Sequence, residues 1–218
     1  MFAGRSPRDP SDPRALAQAV MPSRSVAIAL FDEVEVLDFA GPFEVFSVSG
    51  RRSGLDPFDV CTVSERGQAI QARNGLTVTP THSFASMPGA DIVLIPGGYG
   101  TRREMKNPAM LEWTARVGGD AELLLSVCTG ALVLGAAGLL DGLRATTHHL
   151  AFDALRTAAP RTEVVEGARI VDNGRVILSS GVSAGIDMAL HVVSRLHGGE
   201  VARETARYME YEGDWSLR

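Results

Sequence analysis

The sequence predicts a single doubly wound α/β domain: a mostly parallel sheet with helices on both faces. Three observations carry this expectation. First, SVAIALF (25–31), DIVLIP (91–96) and ELLLSVC (122–128) are short, continuous apolar runs that stop at turn signals, as strands buried on both faces do. Second, stretches of helical spacing fall between and after these runs. Third, 218 residues, 45% of them apolar and 22% charged, suit one globular domain. A chain of this size buries roughly 70% of its unfolded surface and needs no disulfide or metal staple.

In chain order, residues 1–24 hold alternating prolines and arginines and no apolar h-region, so they read as a flexible tail and not a signal peptide. The domain is expected over 25–218. After the first strand, Pro42 marks a first helical turn. FDVCTVS (58–64) adds a strand. Asn107 and Pro108 have the chemistry of an N-cap and first helical position, and Gly118-Gly119 closes that helix. ARIVDNGRVIL (168–178) reads as a hairpin around Asn173-Gly174. Ile186, Ala189, Leu190, Val193 and Leu196 share one helical face, stopped by Gly198. The uncharged run 123–140 is long enough for a membrane span, yet Ser126, Thr129 and three glycines interrupt it, and Glu122 and Asp141 flank it. A buried strand followed by a buried helix accounts for it better.

The 26 acidic and 21 basic residues leave a net charge of -5, which argues against nucleic acid as a partner. Two cysteines, Cys61 and Cys128, are too few for a disulfide framework and point to a reducing cytoplasm. No clustered ligands call for a metal, and no motif calls for a cofactor.

Open parallel sheets bind ligands at the carboxyl ends of their strands. Asp38 follows the first predicted strand, Gly97-Gly98 follow the second and Cys128 closes the third. At Cys128 the pattern switches from strand to helix within two residues, as at a nucleophile elbow, and Gly130 lets the helix start pack closely. The helix N-terminus is expected to lower the thiol pKa and to favour the thiolate. Asp38 is a helix-capping residue, or a general acid whose pKa is raised beside the sulfur, or both. Gly98 offers a backbone N–H for an oxyanion hole, although a tight turn explains the same glycines. Among the histidines, His148 and His149 are the candidate partners of the thiol. His191 reads as part of a solvated stripe, His197 as a helix-end cation and Cys61 as a mid-strand hydrophobe.

LDFAGPFEVF, IPGGYG, SVCTGALVLGAAGLLDG, ATTH and SSGVSAGIDMAL, in that order, resemble the ThiJ/PfpI superfamily of glutamine-amidotransferase-like proteins over roughly residues 25–210. Within it the likeness is to isonitrile hydratases and to the amidotransferase-like domain of AraC-type regulators. The resemblance implies a flavodoxin-like domain, Cys128 as nucleophile, Thr129 positioning an acid, Asp38 as that acid and a substrate pocket using Gly181. It also implies a homodimer acting on a small molecule. The pattern departs from its neighbours elsewhere. Thr129 stands where superfamily proteases carry histidine, Asp38 where the glyoxalase and deglycase branch has glutamate, and His149 where hydratase-like members often have tryptophan. The late His-x-Glu pair of true glutamine amidotransferases is missing.

These features lead to two principal readings. One is hydration of an isonitrile to an N-substituted formamide through a Cys128 thioimidate. The other is a non-catalytic ligand-sensing domain, which in a regulator would need a DNA-binding module of about a hundred residues for which this chain leaves no room. Glyoxalase-type chemistry on reactive carbonyls stays open, since the same cysteine serves it.

Overall fold

The computed structural model describes residues 23–51 and 54–215. The expected flexible tail therefore lies outside the described residues, apart from Ser23 and Arg24, and Arg24 already belongs to the first strand. Strands β1 (Arg24–Ala29), β2 (Phe58–Ser64), β5 (His82–Ser83), β6 (Ile92–Ile95), β7 (Leu123–Val127), β10 (Ile170–Asp172) and β11 (Val176–Ser179) form one sheet, ordered β10-β11-β7-β6-β1-β2-β5. Every pairing is parallel except that of β10 with β11, the hairpin expected at Asn173-Gly174. Two small ribbons stand apart: β3 (Ile70–Gln71) with β4 (Thr77–Val78), and β8 (Arg144–Ala145) with β9 (Glu163–Val164). β6 and β7 are buried along their whole length, which is why their sequences show no alternation.

Helices α1 (Val36–Val48), α6 (Ala184–His197) and α7 (Gly199–Tyr208) cover one face of the sheet. The short α2 (Thr101–Glu104) leads to α3 (Pro108–Asp120), α4 (Gly130–Ala136) and α5 (Phe152–Ala158) on the other. The arrangement is a flavodoxin-like single domain. Asn107 caps α3 as expected, its side chain accepting from Ala109 N–H at 3.1 Å, and the helix runs past the two glycines to Asp120. One boundary differs: Pro42 does not open α1 but lies within it, six residues after the start at Val36. Proline has no N–H to return to the carbonyl four residues back, which here belongs to Asp38.

The chain lays down β1, β2 and β5 in one direction and then returns to add β6, β7 and β11 on the other side of β1. That reversal separates the loops after β1 and β6 and opens a crevice at the carboxyl end of the sheet. Tight contacts fix its walls. A Cβ on Gly185 would come 3.1 Å from the Val127 methyls, so α6 lies flush against the strand that precedes Cys128.

Candidate active site

Cys128 is the first residue after β7 and sits at φ 55°, a left-handed conformation unusual for a residue with a side chain. Its surroundings over-determine that geometry. The Cys128 N–H donates to the carbonyls of Ser179 at 3.2 Å and Ser180 at 3.0 Å, and Thr147 Oγ1 donates to the Cys128 carbonyl at 2.8 Å. At Gly130 a Cβ would lie 2.1 Å from the carbonyl oxygen of Ile95, so only glycine lets α4 start this close to β6. The expected elbow is present.

Asp38 lies in the first turn of α1 and is 0% exposed, while Cys128 is 6% exposed. Asp38 Oδ2 accepts from Gly97 N–H at 3.0 Å. The thiol of Cys128 hydrogen-bonds the carboxyl, and the N–H of Val182 lies against both groups. The other oxygen, Oδ1, is buried without a hydrogen bond of good geometry, which costs a neutral carboxyl less than a carboxylate. Asp38 makes no side-chain cap to its helix, so the capping role considered for it is not the one it plays.

Burial pushes the Asp38 carboxyl up to about 7 against the help of the Gly97 and Cys128 hydrogen bonds. Burial, then the neighbouring Asp38 charge, pushes the Cys128 thiol up to about 12. This corrects the expectation of a lowered thiol pKa. The Thr129 and Val182 N–H groups do favour the thiolate, but desolvation outweighs them at the head of a helix only seven residues long. The two groups therefore behave as a unit that holds one proton between them from about pH 7 upward.

Two further expectations change. Gly98 does line the cavity, but its N–H is not free for an oxyanion, because it donates to Thr129 Oγ1 at 3.0 Å. Thr129 does not reach Asp38 with its hydroxyl. Its Oγ1 also bonds the Gly98 carbonyl at 3.1 Å and is itself approached by Thr101 Oγ1 at 3.1 Å. Thr129 thus steadies the glycine turn, and the turn, through Gly97, steadies Asp38. A Cβ on Gly97 would meet Thr129 N at 2.6 Å, Asp38 Oδ2 at 2.7 Å and Cys128 Cβ at 2.8 Å, so Gly97 is the floor on which the pair rests.

Above the floor is a cavity of about 230 Å³, walled by Gly98, Cys128, Thr129 and Val182 and rimmed by Glu35, Tyr99, Arg102, His148 and Leu150. His148 Nδ1 accepts from Leu150 N–H at 3.3 Å, which fixes the tautomer protonated on Nε2. Burial, then the neighbouring His149 and Arg102 side chains, holds its pKa below the usual histidine value. Gly181 backs the ring of His148 so closely that a Cβ added there would collide with it. His149 is exposed and only touches the His148 ring, with centroids 4.3 Å apart. A larger cleft of about 540 Å³ opens beside β1 and β2 among Asp32, Glu65, Arg66 and Lys106, and none of the candidate residues lines it.

Away from the site, His191 is not solvated: it is mostly buried, with Nε2 2.8 Å from Asp172 Oδ2. His197 is not a helix-end cation, because burial against Phe58 lowers its pKa. Cys61 remains the strand hydrophobe expected, its sulfur 3.8 Å from Met87 Sδ and its thiol pushed up to about 11 by burial. Sequence reasoning gave Glu35 and Val182 no role, and it placed Gly97 at this sheet edge without the N–H that it donates to Asp38.

A buried cysteine on a strand-to-helix elbow, paired with a carboxyl from the first helix of a doubly wound sheet, defines a cysteine-centred α/β domain of the amidotransferase-like kind. The chain belongs to the DJ-1/PfpI family, whose sequence profile matches residues 24–195. It is 35% identical over 188 residues to an isonitrile hydratase of Pseudomonas putida, covering 85% of this chain and 78% of that protein. It is 31% identical over 191 residues to the HTH-type transcriptional regulator GbdR of Pseudomonas aeruginosa, covering 87% of this chain and about half (51%) of the regulator. A ThiJ/PfpI family protein from Pseudomonas syringae superposes with a TM-score of 0.81 at 28% identity, over 95% of this chain and 83% of that one. Among the described residues no helix is long and apolar enough to cross a membrane.

Proposed function

We propose that the protein hydrates isonitriles to N-substituted formamides, with Cys128 as nucleophile and Asp38 as proton carrier. The observation that carries this reading is the one-proton pair at the cavity floor. Adding a thiol across a terminal isonitrile carbon consumes one sulfur nucleophile and one proton, and the pair holds that inventory. Sulfur bonds to the carbon, and the proton shared with Asp38 moves to the same carbon, giving a thioimidate. The Asp38 carboxylate left behind takes a proton from the attacking water and delivers it to the nitrogen, and it then takes the hydroxyl proton of the tetrahedral adduct as that adduct collapses. The tetrahedral adduct then expels the Cys128 sulfur and releases the formamide. One water is consumed and the pair regains its proton. The 35% identity to an isonitrile hydratase supports the substrate class. The test is formamide production from an aryl and an alkyl isonitrile by the purified protein. Turnover lost on Cys128→Ala supports the reading, and an inactive wild type overturns it.

A second reading, ligand sensing without turnover, is favoured by the regulator that this chain matches over about half its length. Ligand binding without product in the same assay would select it. The protein is further proposed to act in the cytoplasm as a homodimer, and a solution mass of 23.2 kDa by light scattering would count against the dimer.

A further inference from the structure

Val182 is a β-branched residue at φ 50°, a strained conformation that persists only where neighbours enforce it. It lies in the 180–183 turn between β11 and α6 and lines the cavity. Among the described residues no backbone carbonyl accepts its N–H, which lies instead against Cys128 and Asp38.

The turn is gripped at both ends by one arginine. The Arg169 carbonyl accepts from Ser180 N–H at 3.0 Å, and the Ser180 carbonyl in turn accepts from Cys128 N–H at 3.0 Å. The Arg169 guanidinium reaches Ser183 Oγ at 3.3 Å and pairs through Nε with Asp187 Oδ2. Asp187, one helical turn into α6, is 0% exposed, and its other oxygen accepts from Tyr211 O–H at 2.7 Å. A buried carboxylate with a cation and a hydroxyl on its two oxygens is a rigid anchor. We propose that Asp187 is a positioning residue: by holding Arg169 and Tyr211 it locks the 180–183 turn and keeps the Val182 N–H at the Cys128 sulfur. Val182 then serves, beside the Thr129 N–H, as a main-chain donor to the sulfur, which Gly98 cannot be.

The inference rests on Cys128 being the reacting atom of the proposed function, so its test reads the thiol without isonitrile. Iodoacetamide alkylation of Cys128 is followed by peptide mass spectrometry from pH 7 to 10. The charged and titratable groups around the sulfur are Asp38 and Glu35 at the start of α1, Arg102 on α2 and His148 after β8, and the variants leave all of them in place. In Asp187→Asn the thiolate loses its Val182 donor, so the profile moves to higher pH by about one unit, a tenfold slower reaction at pH 8. Tyr211→Phe, which keeps the ion pair, shifts it in the same direction by about threefold. A lower melting temperature with an unmoved profile, or faster alkylation from a loosened site, overturns the proposal. Should Asp187→Asn fail to fold, an unmoved profile in Tyr211→Phe has the same force. A shifted profile in a protein inactive on every isonitrile would sink the hydratase reading and leave the positioning role standing.

Discussion

Asp38 and Cys128 stand ninety positions apart in the chain, on the first helix and after the seventh strand, and meet as a hydrogen-bonded carboxyl and thiol. The carboxylate raises the cost of ionising the thiol, whereas the thiol's hydrogen bond eases ionisation of the carboxyl, which burial opposes. Their shared proton and their burial set the behaviour expected of the protein.

Replacing either group should stop turnover. Cys128→Ala should make no detectable formamide, and Asp38→Asn, which keeps the shape but carries no transferable proton, should lose about 10²–10⁴-fold in kcat. The double variant should be no worse than Cys128→Ala, because the two act as a unit. Full activity in Asp38→Asn would remove the proton-carrier role.

The rate should depend on pH in one direction over the accessible range. Below about 7 the carboxyl and the thiol are both protonated and the sulfur is a poor nucleophile. Above it one proton has left and the pair is active, so kcat/KM should rise tenfold per unit at acid pH and level off past 7. The opposing limb, near 12, lies beyond the working range. A profile flat from pH 5 to 9 would contradict the assignment.

Stability should carry the same signature. The Asp38 pKa rises on folding from 3.8 to about 7, so its contribution to stability is fully present below pH 3.8 and is lost as pH climbs to 7. At one pKa unit per 1.36 kcal/mol, the loss is on the order of 4 kcal/mol. Asp38→Asn cannot ionise, so it should be more stable than wild type at pH 8 and comparable near pH 4. Urea denaturation at the two pH values measures the difference.

Alkylation of Cys128 should be slow in the wild type at pH 8 and faster in Asp38→Asn. The variant removes the negative charge that, after burial, does most to hold the thiol up. Equal rates would mean that the carboxyl does not act on the sulfur.

Gly130→Ala should lower stability by about 1–3 kcal/mol or more, since the added methyl must displace the Ile95 carbonyl. A shifted urea midpoint with an unchanged slope would report it.

The sheet was legible in the sequence because burial on both faces erases alternation and leaves unmistakable apolar runs, as at Ile92–Ile95. Cys128 and Asp38 were legible because the carboxyl ends of such strands converge. The helix start at Val36 was obscured by Pro42, whose usual place is the first turn. The roles of Gly97 and Val182 were illegible for a different reason: each contributes a backbone N–H, which leaves no side-chain signature. Val182 moreover adopts a conformation that its residue type argues against. The thiol pKa was misjudged because position on an elbow is visible in sequence, whereas depth beneath the surface is not.

The cavity floor is built from main chain and from glycines that tolerate no added carbon, whereas its rim is built from side chains facing solvent. Tyr99 is 62% exposed and Leu150 81% exposed. The reacting centre and the choice of what reaches it are thereby assigned to different parts of the molecule. Exchanging Tyr99 or Leu150 alters the size and polarity of the entrance at little cost to folding, while the proton chemistry beneath stays as it is. One scaffold of this design can serve many small molecules by redecorating its doorway.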